Sequence, residues 1–303
     1  MPPYKRQHYL PAGYLKFFAT DLDGCTRDAA QIWRCDGKEQ RLVPVKTQCS
    51  KDYHYSKENP GGAEKEFHLS EDRYCKCVTA FKTGKEPDDD RETGAFLMSM
   101  FTLYLRNAVH INKSGREGIE AYRRRFWTFL QRVLLVNYSE ANSETLQAEM
   151  SNNWGLRIFA PPDQRLFITS DNPSIWTCVF GDLGCGPASS IRSVGPSLLQ
   201  IVALPITPLH MAVAYDKTAI HLVSDKLSEE DYRTLNNAQL RNANECIYAS
   251  SPLPPDLSAN IGESIRGRAR LRPETTAETC TLQVNVLEPE FHFSFVARTP
   301  PRM

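Results

Sequence analysis

The stretch Phe167-Ile168-Thr169-Ser170-Asp171-Asn172-Pro173 joins an apolar, β-branched half to a polar half that ends in proline. This order predicts a strand, Leu166 to Thr169, followed by a turn, because Asp, Asn and Pro favour turns. A carboxylate at a strand end can point into a cleft on a rigid backbone, which makes Asp171 a candidate functional residue and Ser170 a candidate substrate contact. The same residue types also form Asx turns with their own backbone, so a purely structural role stays open.

A second dense segment, Lys5-Arg6-Gln7-His8-Tyr9-Leu10-Pro11, has the same character near the start of the chain. It too places chemically able side chains beside an apolar run and a proline. A chain that needed only a hydrophobic core would have little reason to do this twice. We therefore expect the two segments to come together in the folded protein, with His8 and Asp171 in one shared site.

The periodicity of the apolar residues predicts an α+β fold, a helical bundle packed on a mostly antiparallel β-sheet. Residues 1–250 are predicted to form a single domain, with its helical part at about 60–152 and its sheet-rich part at about 154–250. Residues 251–303 are predicted to be a proline-rich loop or linker followed by a terminal β-hairpin or arm. The predicted helices cover 12–19, 63–81, 92–111, 117–136, 144–152 and 228–244. The predicted strands cover 31–35, 41–45, 166–169, 175–179, 198–204, 211–215 and 247–249, with a further one at 156–159.

Composition excludes some partners and favours a compartment. The 36 basic and 36 acidic residues balance to a formal net charge of zero, so no global field attracts nucleic acid or membranes. The most apolar run, Ala95 to Leu105, is far shorter than the ~20 residues that span a bilayer. The start of the chain has no apolar run typical of a secretory signal, and the nine cysteines have no zinc-site spacing. These features predict a cytoplasmic protein with reduced thiols.

His8 is the best single candidate for catalysis. Histidine titrates near neutral pH and can act as a general base or a general acid. Lys5 and Arg6 beside it would favour binding of an anionic substrate. The alternative interpretation is that His8 hydrogen-bonds to the backbone and fixes the start of the first helix.

Glu64 and Glu71 lie seven residues apart and therefore share one face of a helix. With Asp171 they could ligate Mg²⁺ or Mn²⁺, which prefer carboxylate oxygens. The alternative is a solvated, salt-bridged helix face. Arg106 ends an apolar helix and would either bind phosphate or pair structurally with Asp171 or Glu64.

Several of these blocks resemble the family known as domain of unknown function number 4238. The matching residues are His8-Tyr9-Leu10-Pro11 with Tyr14-Leu15-Lys16, the glutamate-bearing helix with Glu64 and Glu71, Leu105-Arg106-Asn107, the stretch 167–173, Leu204 to Pro208, and Ile247-Tyr248-Ala249. The resemblance covers residues 4 to 250, and Ala108 stands where many members carry proline. It implies no activity, so any function must come from the chemistry of the residues.

The chain contains no GxGxxG, GxxxxGK[ST], GxSxG or HExxH motif, which disfavours nucleotide cofactors, P-loop NTPases, α/β-hydrolases and zincins. The residue types predict a metal-assisted or His-based phosphodiesterase or nuclease, used as a toxin or in defence. Its catalytic groups would be His8, Glu64, Arg106 and Asp171, and its substrate would be nucleic acid or another phosphodiester. The basic cluster Arg266 to Arg272 either contacts the phosphates or, as such charge clusters more often do, forms solvated surface.

The alternative is a non-catalytic interaction or regulatory protein whose polar signature is a buried structural network. An enzyme requires these groups around an open cleft, whereas a structural network would bury them and pair them.

Overall fold

The computed structural model describes residues 5–21, 29–85, 89–106, 119–120, 122–123, 126, 143–178, 200–218, 220–255, 257–258, 261 and 293–298. Within these residues lie five α-helices: α1 Ala12–Lys16, α2 Pro60–Lys82, α3 Asp90–Leu105, α4 Ser143–Asn153 and α5 Glu229–Asn242. The strands are β1 Arg6–His8, β2 Gln31–Cys35, β3 Gln40–Pro44, β4 Ser50–Asp52, β5 Trp154–Phe159, β6 Thr169–Ser170, β7 Ile175–Cys178, β8 Gln200–Thr207, β9 His210–Asp216, β10 Ile220–Leu222, β11 Ile247–Ala249 and β12 Val296–Arg298.

The central layer is an antiparallel sheet with the strand order β5-β9-β8-β7. Successive residues of β8 alternate between two cores: Val202 and Leu204 join the core beneath the helices, while Ile201 and Ala203 join a second core with Leu235 of α5. Successive side chains of a strand point to opposite faces. A strand that is apolar on both faces must therefore be covered on both sides, as this one is.

Helices α3 and α4 cross closely beneath this sheet. Gly94 of α3 lies at the crossing, where a Cβ atom would be 2.0 Å from the carbonyl oxygen of Gln147 in α4. Only a residue without a side chain allows the two backbones to approach this far. The apolar run 95–105 is buried on α3, as its composition predicts.

A second antiparallel sheet has the order β3-β2-β11-β6 and joins distant parts of the chain. In β11, Ile247 pairs with both Cys35 of β2 and Ser170 of β6, and Tyr248 pairs with Thr169. The antiparallel pair of β2 and β3 is thereby connected to the stretch 167–173. This sheet brings the second signature segment next to the N-terminal part of the chain.

Local sequence signals explain the helix boundaries. Pro60 occupies the first turn of α2 and Asn59 caps it by accepting a hydrogen bond from the Gly62 N–H, so the helix begins three residues before the predicted Ala63. Ser228 and Asp231 form a capping box at the start of α5, where the predicted helix 228–244 begins.

The α+β fold with antiparallel sheets is confirmed, and some of the finer predictions need comment. The strand predicted at 166–169 is wrong, because only Thr169–Ser170 is extended in a ladder. The N–H groups of Phe167 and Ile168 instead bind the Pro208 carbonyl and the Asn236 side chain. Of the predicted helix 117–136, residues 119–120, 122–123 and 126 are described, and they are helical. The end of helix 92–111, Arg266 to Arg272 and most of the terminal hairpin lie outside the described residues.

Candidate functional site

Arg106 forms the centre of a buried polar cluster at the end of α3. Its side chain is 1% exposed, and three of its nitrogens bind groups from other parts of the chain. Nε donates to the Tyr55 hydroxyl at 2.9 Å, one terminal nitrogen binds Glu71 Oε1 at 2.5 Å, and the other binds the His8 carbonyl oxygen at 2.5 Å. The predicted structural pairing of Arg106 therefore exists, but its carboxylate partner is Glu71.

Aromatic rings enclose the same guanidinium. Its central carbon lies 4.0 Å from the centroid of the Phe67 ring and 5.5 Å from that of Tyr55, within the range of cation–π attraction. Burial alone would lower the pKa of Arg106, but Tyr55 and Glu71 outweigh it and hold the pKa above its ordinary value. The guanidinium is therefore charged, and the protein compensates that charge internally.

The first signature segment is held in place by its fully buried Gln7. Gln7 Oε1 accepts hydrogen bonds from the N–H groups of Tyr55 and Ser56, and Gln7 Nε2 donates to the Ser56 carbonyl. This side chain thus acts as a backbone mimic that joins β1 to the segment between β4 and α2. It also positions Tyr55 for its contact with Arg106.

His8 lies half-buried at the edge of this cluster. Its Nε2 is 3.2 Å from the Lys46 carbonyl oxygen, a contact of the backbone-fixing kind that the alternative interpretation predicts. The predicted substrate residues beside it differ in their surroundings. Lys5 forms an ion pair of 3.0 Å with Asp52, whereas Arg6 is exposed.

Asp171 is buried and binds the backbone of the connection between α5 and β11. Its Oδ1 accepts the Asn244 N–H at 2.7 Å and its Oδ2 accepts the Glu245 N–H at 2.9 Å. Burial raises the pKa of Asp171 to about 7, although the two N–H donors favour the ionised form. Both carboxylate oxygens thus act as acceptors that shape a loop.

The neighbours of Asp171 form a set of buried hydrogen bonds with α5. Ser170 Oγ donates to Gln239 Oε1 at 3.1 Å, and Gln239 Nε2 donates to the Pro173 carbonyl. The Asn172 and Asn242 amides each donate to the other's carbonyl oxygen. All four side chains are buried, so the stretch 167–173 is locked to the helix by hydrogen bonds that water cannot replace.

The two signature segments meet through neighbours of His8 and Asp171. The Tyr14 hydroxyl donates to the Pro205 carbonyl and lies 2.6 Å from Thr169 Oγ1. Burial raises the pKa of the Tyr9 hydroxyl, and among nearby charges the Asp171 carboxylate raises it further. Tyr14, three residues after the first segment, thus contacts Thr169 of the second segment. A site shared by His8 and Asp171 stays a prediction.

A buried group of aromatic and thiol side chains lies between these two clusters. The Tyr248 hydroxyl is 3.3 Å from the Cys49 sulfur, and Cys49 itself adopts a left-handed backbone with φ of 51°. His54 packs its ring 5.6 Å from Tyr9 and 4.7 Å from Tyr55. Burial lowers the pKa of His54 to about 4, so the imidazole is neutral at physiological pH.

A small pocket opens beside the Arg106–Glu71 pair, between α1, α2 and α3. Half-buried Ser70, Glu71 and Cys75 line its outer part, and Tyr14, Tyr74, Leu103 and Arg106 lie deeper. Its volume is about 10 Å³, which is room for about one water molecule. The Tyr74 hydroxyl is buried and has no hydrogen-bond partner among the described residues.

The predicted metal ligands occupy three different settings. Glu71 faces Arg106, Asp171 faces backbone N–H groups, and Glu64 is half-buried on α2. Within the described part of the chain, no group of three or more His, Cys, Asp or Glu side chains could hold a metal ion.

Several residues of these clusters were not predicted from the sequence. Gln7 and Tyr14 lie inside or just after the first dense segment, which was the available signal for them. Tyr55, together with His54, is an aromatic pair within a polar, turn-rich stretch, and that contrast could have marked it. Tyr74 gave no signal, because an aromatic residue inside a predicted helix is an ordinary core position.

The chain belongs to a family of uncharacterised proteins. The model of the family described as "Protein of unknown function (DUF4238)" matches residues 6–252, which include both signature segments, Arg106 and β11. No curated protein and no solved structure matches the chain. In the described residues, no helix is long and apolar enough to cross a membrane.

Proposed function

We propose that this is a non-catalytic interaction or regulatory protein whose polar signature is a structural network. One observation carries the proposal: the charged groups of the signature, Arg106 and Asp171, are buried against partners from the same chain. A phosphate-binding arginine or a metal-binding aspartate keeps donors or acceptors directed at a ligand. Here the guanidinium binds Tyr55, Glu71 and a carbonyl, and the carboxylate binds two N–H groups.

A metal-assisted or His-based phosphodiesterase or nuclease remains the competing proposal, with Mg²⁺ or Mn²⁺ as its metal. Its best support is His8, which is half-buried rather than fully enclosed and lies near Lys5 and the exposed Arg6. An imidazole at a surface with basic neighbours suits proton transfer to an anionic substrate. In this competing proposal the other groups of the clusters would act as its scaffold.

The two proposals differ in the effect of His8→Ala. The variant, the wild type and a His68→Ala control are assayed with an activated phosphodiester, RNA and DNA, in Mg²⁺, Mn²⁺ and EDTA. His68 is an exposed histidine on α2, so its loss should change neither activity nor stability. We expect no turnover in any sample, and a destabilisation of His8→Ala by about 1 kcal/mol for the lost hydrogen bond.

Wild-type turnover that disappears only in His8→Ala would establish the competing proposal. Proton-transfer roles contribute ~10²–10⁴-fold, so the loss would be unmistakable in the same assay.

We also propose that the protein works in the cytoplasm. Its thiols Cys35, Cys49, Cys75, Cys77 and Cys246 form no disulfide in the structure, as suits a reducing compartment. Alkylation of the denatured protein without reductant, followed by mass spectrometry, should modify all nine cysteines of the chain. Two protected cysteines would contradict this assignment.

A further inference from the structure

The second core is completed by a short C-terminal segment, residues 293–298, which lies beyond the end of the family match at residue 252. Phe293, Phe295 and Val296 of this segment are at most 5% exposed. The Phe295 ring packs with its centroid 4.8 Å from that of Phe159 in β5. Residues that the family model does not match therefore fill part of an apolar core of the matched region.

The backbone of the segment binds in the manner of a peptide added to the edge of a sheet. Strand β12 pairs antiparallel with β10 over three residues, and the Val223 N–H donates to the Phe295 carbonyl at 2.9 Å. Among the described strands β10 pairs with β12 alone, so without this segment β10 would be an open edge. Main-chain pairing of this kind, combined with buried side chains, is a common way in which proteins bind extended peptides.

A buried carboxylate, that of Asp231 in α5, binds the same segment. Asp231 is 2% exposed; its Oδ1 accepts the Ser294 N–H at 2.8 Å and its Oδ2 accepts the Ser294 hydroxyl at 2.5 Å. The Ser228 N–H and hydroxyl also donate to Oδ2, which fixes the position of the carboxylate. Hydrogen bonds to an ionised group are stronger than neutral ones. The site therefore selects a residue with a hydroxyl between two large apolar side chains.

We propose that the groove formed by β10, Phe159 and the start of α5 binds a peptide segment of the type Phe-Ser-Phe-Val from a partner protein, and that residues 293–298 occupy it as an internal ligand. The partner's segment displaces the chain's own, so the contact seen in the structure is autoinhibitory. This site names a class of partner for the proposed interaction protein and rests on that proposed function.

The internal ligand is exchangeable because its contact is short and reaches the surface. Three residues of the segment pair in a ladder, and Ser294 is exposed, so water reaches its bond to Asp231. A vacated groove would present Phe159 and Ile220, which are now buried, and an apolar patch of this kind favours a replacement ligand. The tethered segment competes at an effective concentration on the order of millimolar, so a partner binds measurably once the segment is released.

The test uses the full chain with the docking of its own segment weakened. Ser294→Asp places a second carboxylate against that of Asp231, and Phe295→Asp replaces the buried ring by a charge. A fluorescent peptide with the sequence of residues 292–299 is titrated into each variant and into the wild type, with anisotropy as the readout. We expect saturable binding to both variants and binding about tenfold or more weaker to the wild type, whose groove is occupied.

Two controls show whether the variants act through the groove. Ser251→Asp adds a carboxylate at an exposed position after β11 and should bind the peptide as weakly as the wild type does. Ser294 is exposed, so Ser294→Asp keeps the test valid if the core change Phe295→Asp prevents folding.

Altered peptides test the recognition by Asp231. The peptide carrying Ser294→Ala loses the hydrogen bond to the carboxylate and should bind about tenfold or more weakly, and a scrambled peptide should not bind. The proposal is overturned by a lack of saturable binding to Ser294→Asp, by equal binding to the wild type, or by equal affinity of the scrambled peptide. The titration measures no turnover, so its failure leaves the proposed lack of catalysis to the phosphodiester assay.

Discussion

At the scale of single residues, Arg106 shows how one side chain can tie four parts of a chain together. Its three bonded nitrogens reach the carbonyl of His8, the hydroxyl of Tyr55 and the carboxylate of Glu71, from β1, the segment before α2, and α2 itself. A guanidinium suits this place because its donors lie in a rigid plane. A lysine has a single ammonium and could not reproduce this set.

The Arg106–Glu71 ion pair predicts that neutralising Glu71 destabilises the protein more than neutralising an exposed carboxylate does. Glu71→Gln should lower the free energy of unfolding by about 3 kcal/mol, because it leaves the buried guanidinium charge uncompensated. Glu39→Gln is the matched control, since Glu39 pairs with Arg41 in a contact that is more than half exposed on both sides. Urea unfolding of both variants provides the comparison, and similar stabilities would show that the Arg106 pair contributes little.

Asp171 predicts a pH dependence of stability with a defined sign. Its pKa is about 7 in the folded protein, whereas the ordinary pKa of an aspartate carboxyl is 3.8. Between these values the folded state holds a proton that the unfolded state has released, so this group's contribution to stability falls as pH rises from about 4 to 7. His54, whose folded pKa is about 4, contributes the opposite slope up to its ordinary value of 6.5.

Asp171→Asn isolates the first of these two slopes. As pH rises from 4 to 7, the unfolding free energy of the wild type should fall relative to that of Asp171→Asn. Above pH 7 the difference should stay constant. Denaturant melts at closely spaced pH values provide this difference. A difference that is constant over the whole window would mean that Asp171 does not change its protonation there.

At the scale of elements, the contact between α3 and α4 depends on Gly94. Gly→Ala in an exposed helix stabilises by ~1 kcal/mol. Here the added Cβ would lie 2.0 Å from the Gln147 carbonyl oxygen, so the helices must move apart. We expect Gly94→Ala to lower the melting temperature, while Arg91→Ala, at an exposed position of the same helix, should leave it nearly unchanged. A melting temperature raised by Gly94→Ala would place this crossing further apart than described.

The elements themselves were largely predictable, because their signals are local. Periodic apolar residues located α2, α3, α4, α5 and the strands of the central sheet, and Ser228 with Asp231 marked the start of α5. The absence of a strand before Thr169 was not predictable. The N–H groups of Phe167 and Ile168 bind Pro208 and Asn236, which are residues more than 40 positions away. The pattern of hydrophobic residues does not indicate such long-range hydrogen-bond partners.

The candidate site was predictable only as a set of residues. Asp171, Arg106 and Glu71 were each selected from the sequence, but the partners of Asp171 are two backbone N–H groups at Asn244 and Glu245. Any residue type presents a backbone N–H, so no sequence pattern can mark it. For the same reason the choice between a cleft and a structural network required three-dimensional contacts.

At the scale of the whole molecule, contacts across long stretches of chain hold the first segment in place. Tyr14 binds Thr169 and Pro205, which follow it by 155 and 191 positions, and Cys49 contacts Tyr248, 199 positions later. A chain ending at Asn242 would lack β11, Tyr248 and the N–H partners of Asp171. We expect limited proteolysis to cut such a chain between β1 and β4 while the full chain resists, and equal resistance would show that the first segment folds without them.

The hydrogen bonds of Tyr14 to Thr169 and Pro205 also have a consequence for folding during synthesis on the ribosome, because these partners are synthesised much later. Synthesis at ~5–20 residues per second separates the emergence of Tyr14 from that of Pro205 by on the order of tens of seconds. During that interval the nascent segment with Tyr14, Leu15 and Phe18, all fully buried in the finished protein, lacks the cover that the later strands β6 and β8 provide. We expect a chaperone to bind the first twenty residues of such a nascent chain until the later strands have been synthesised.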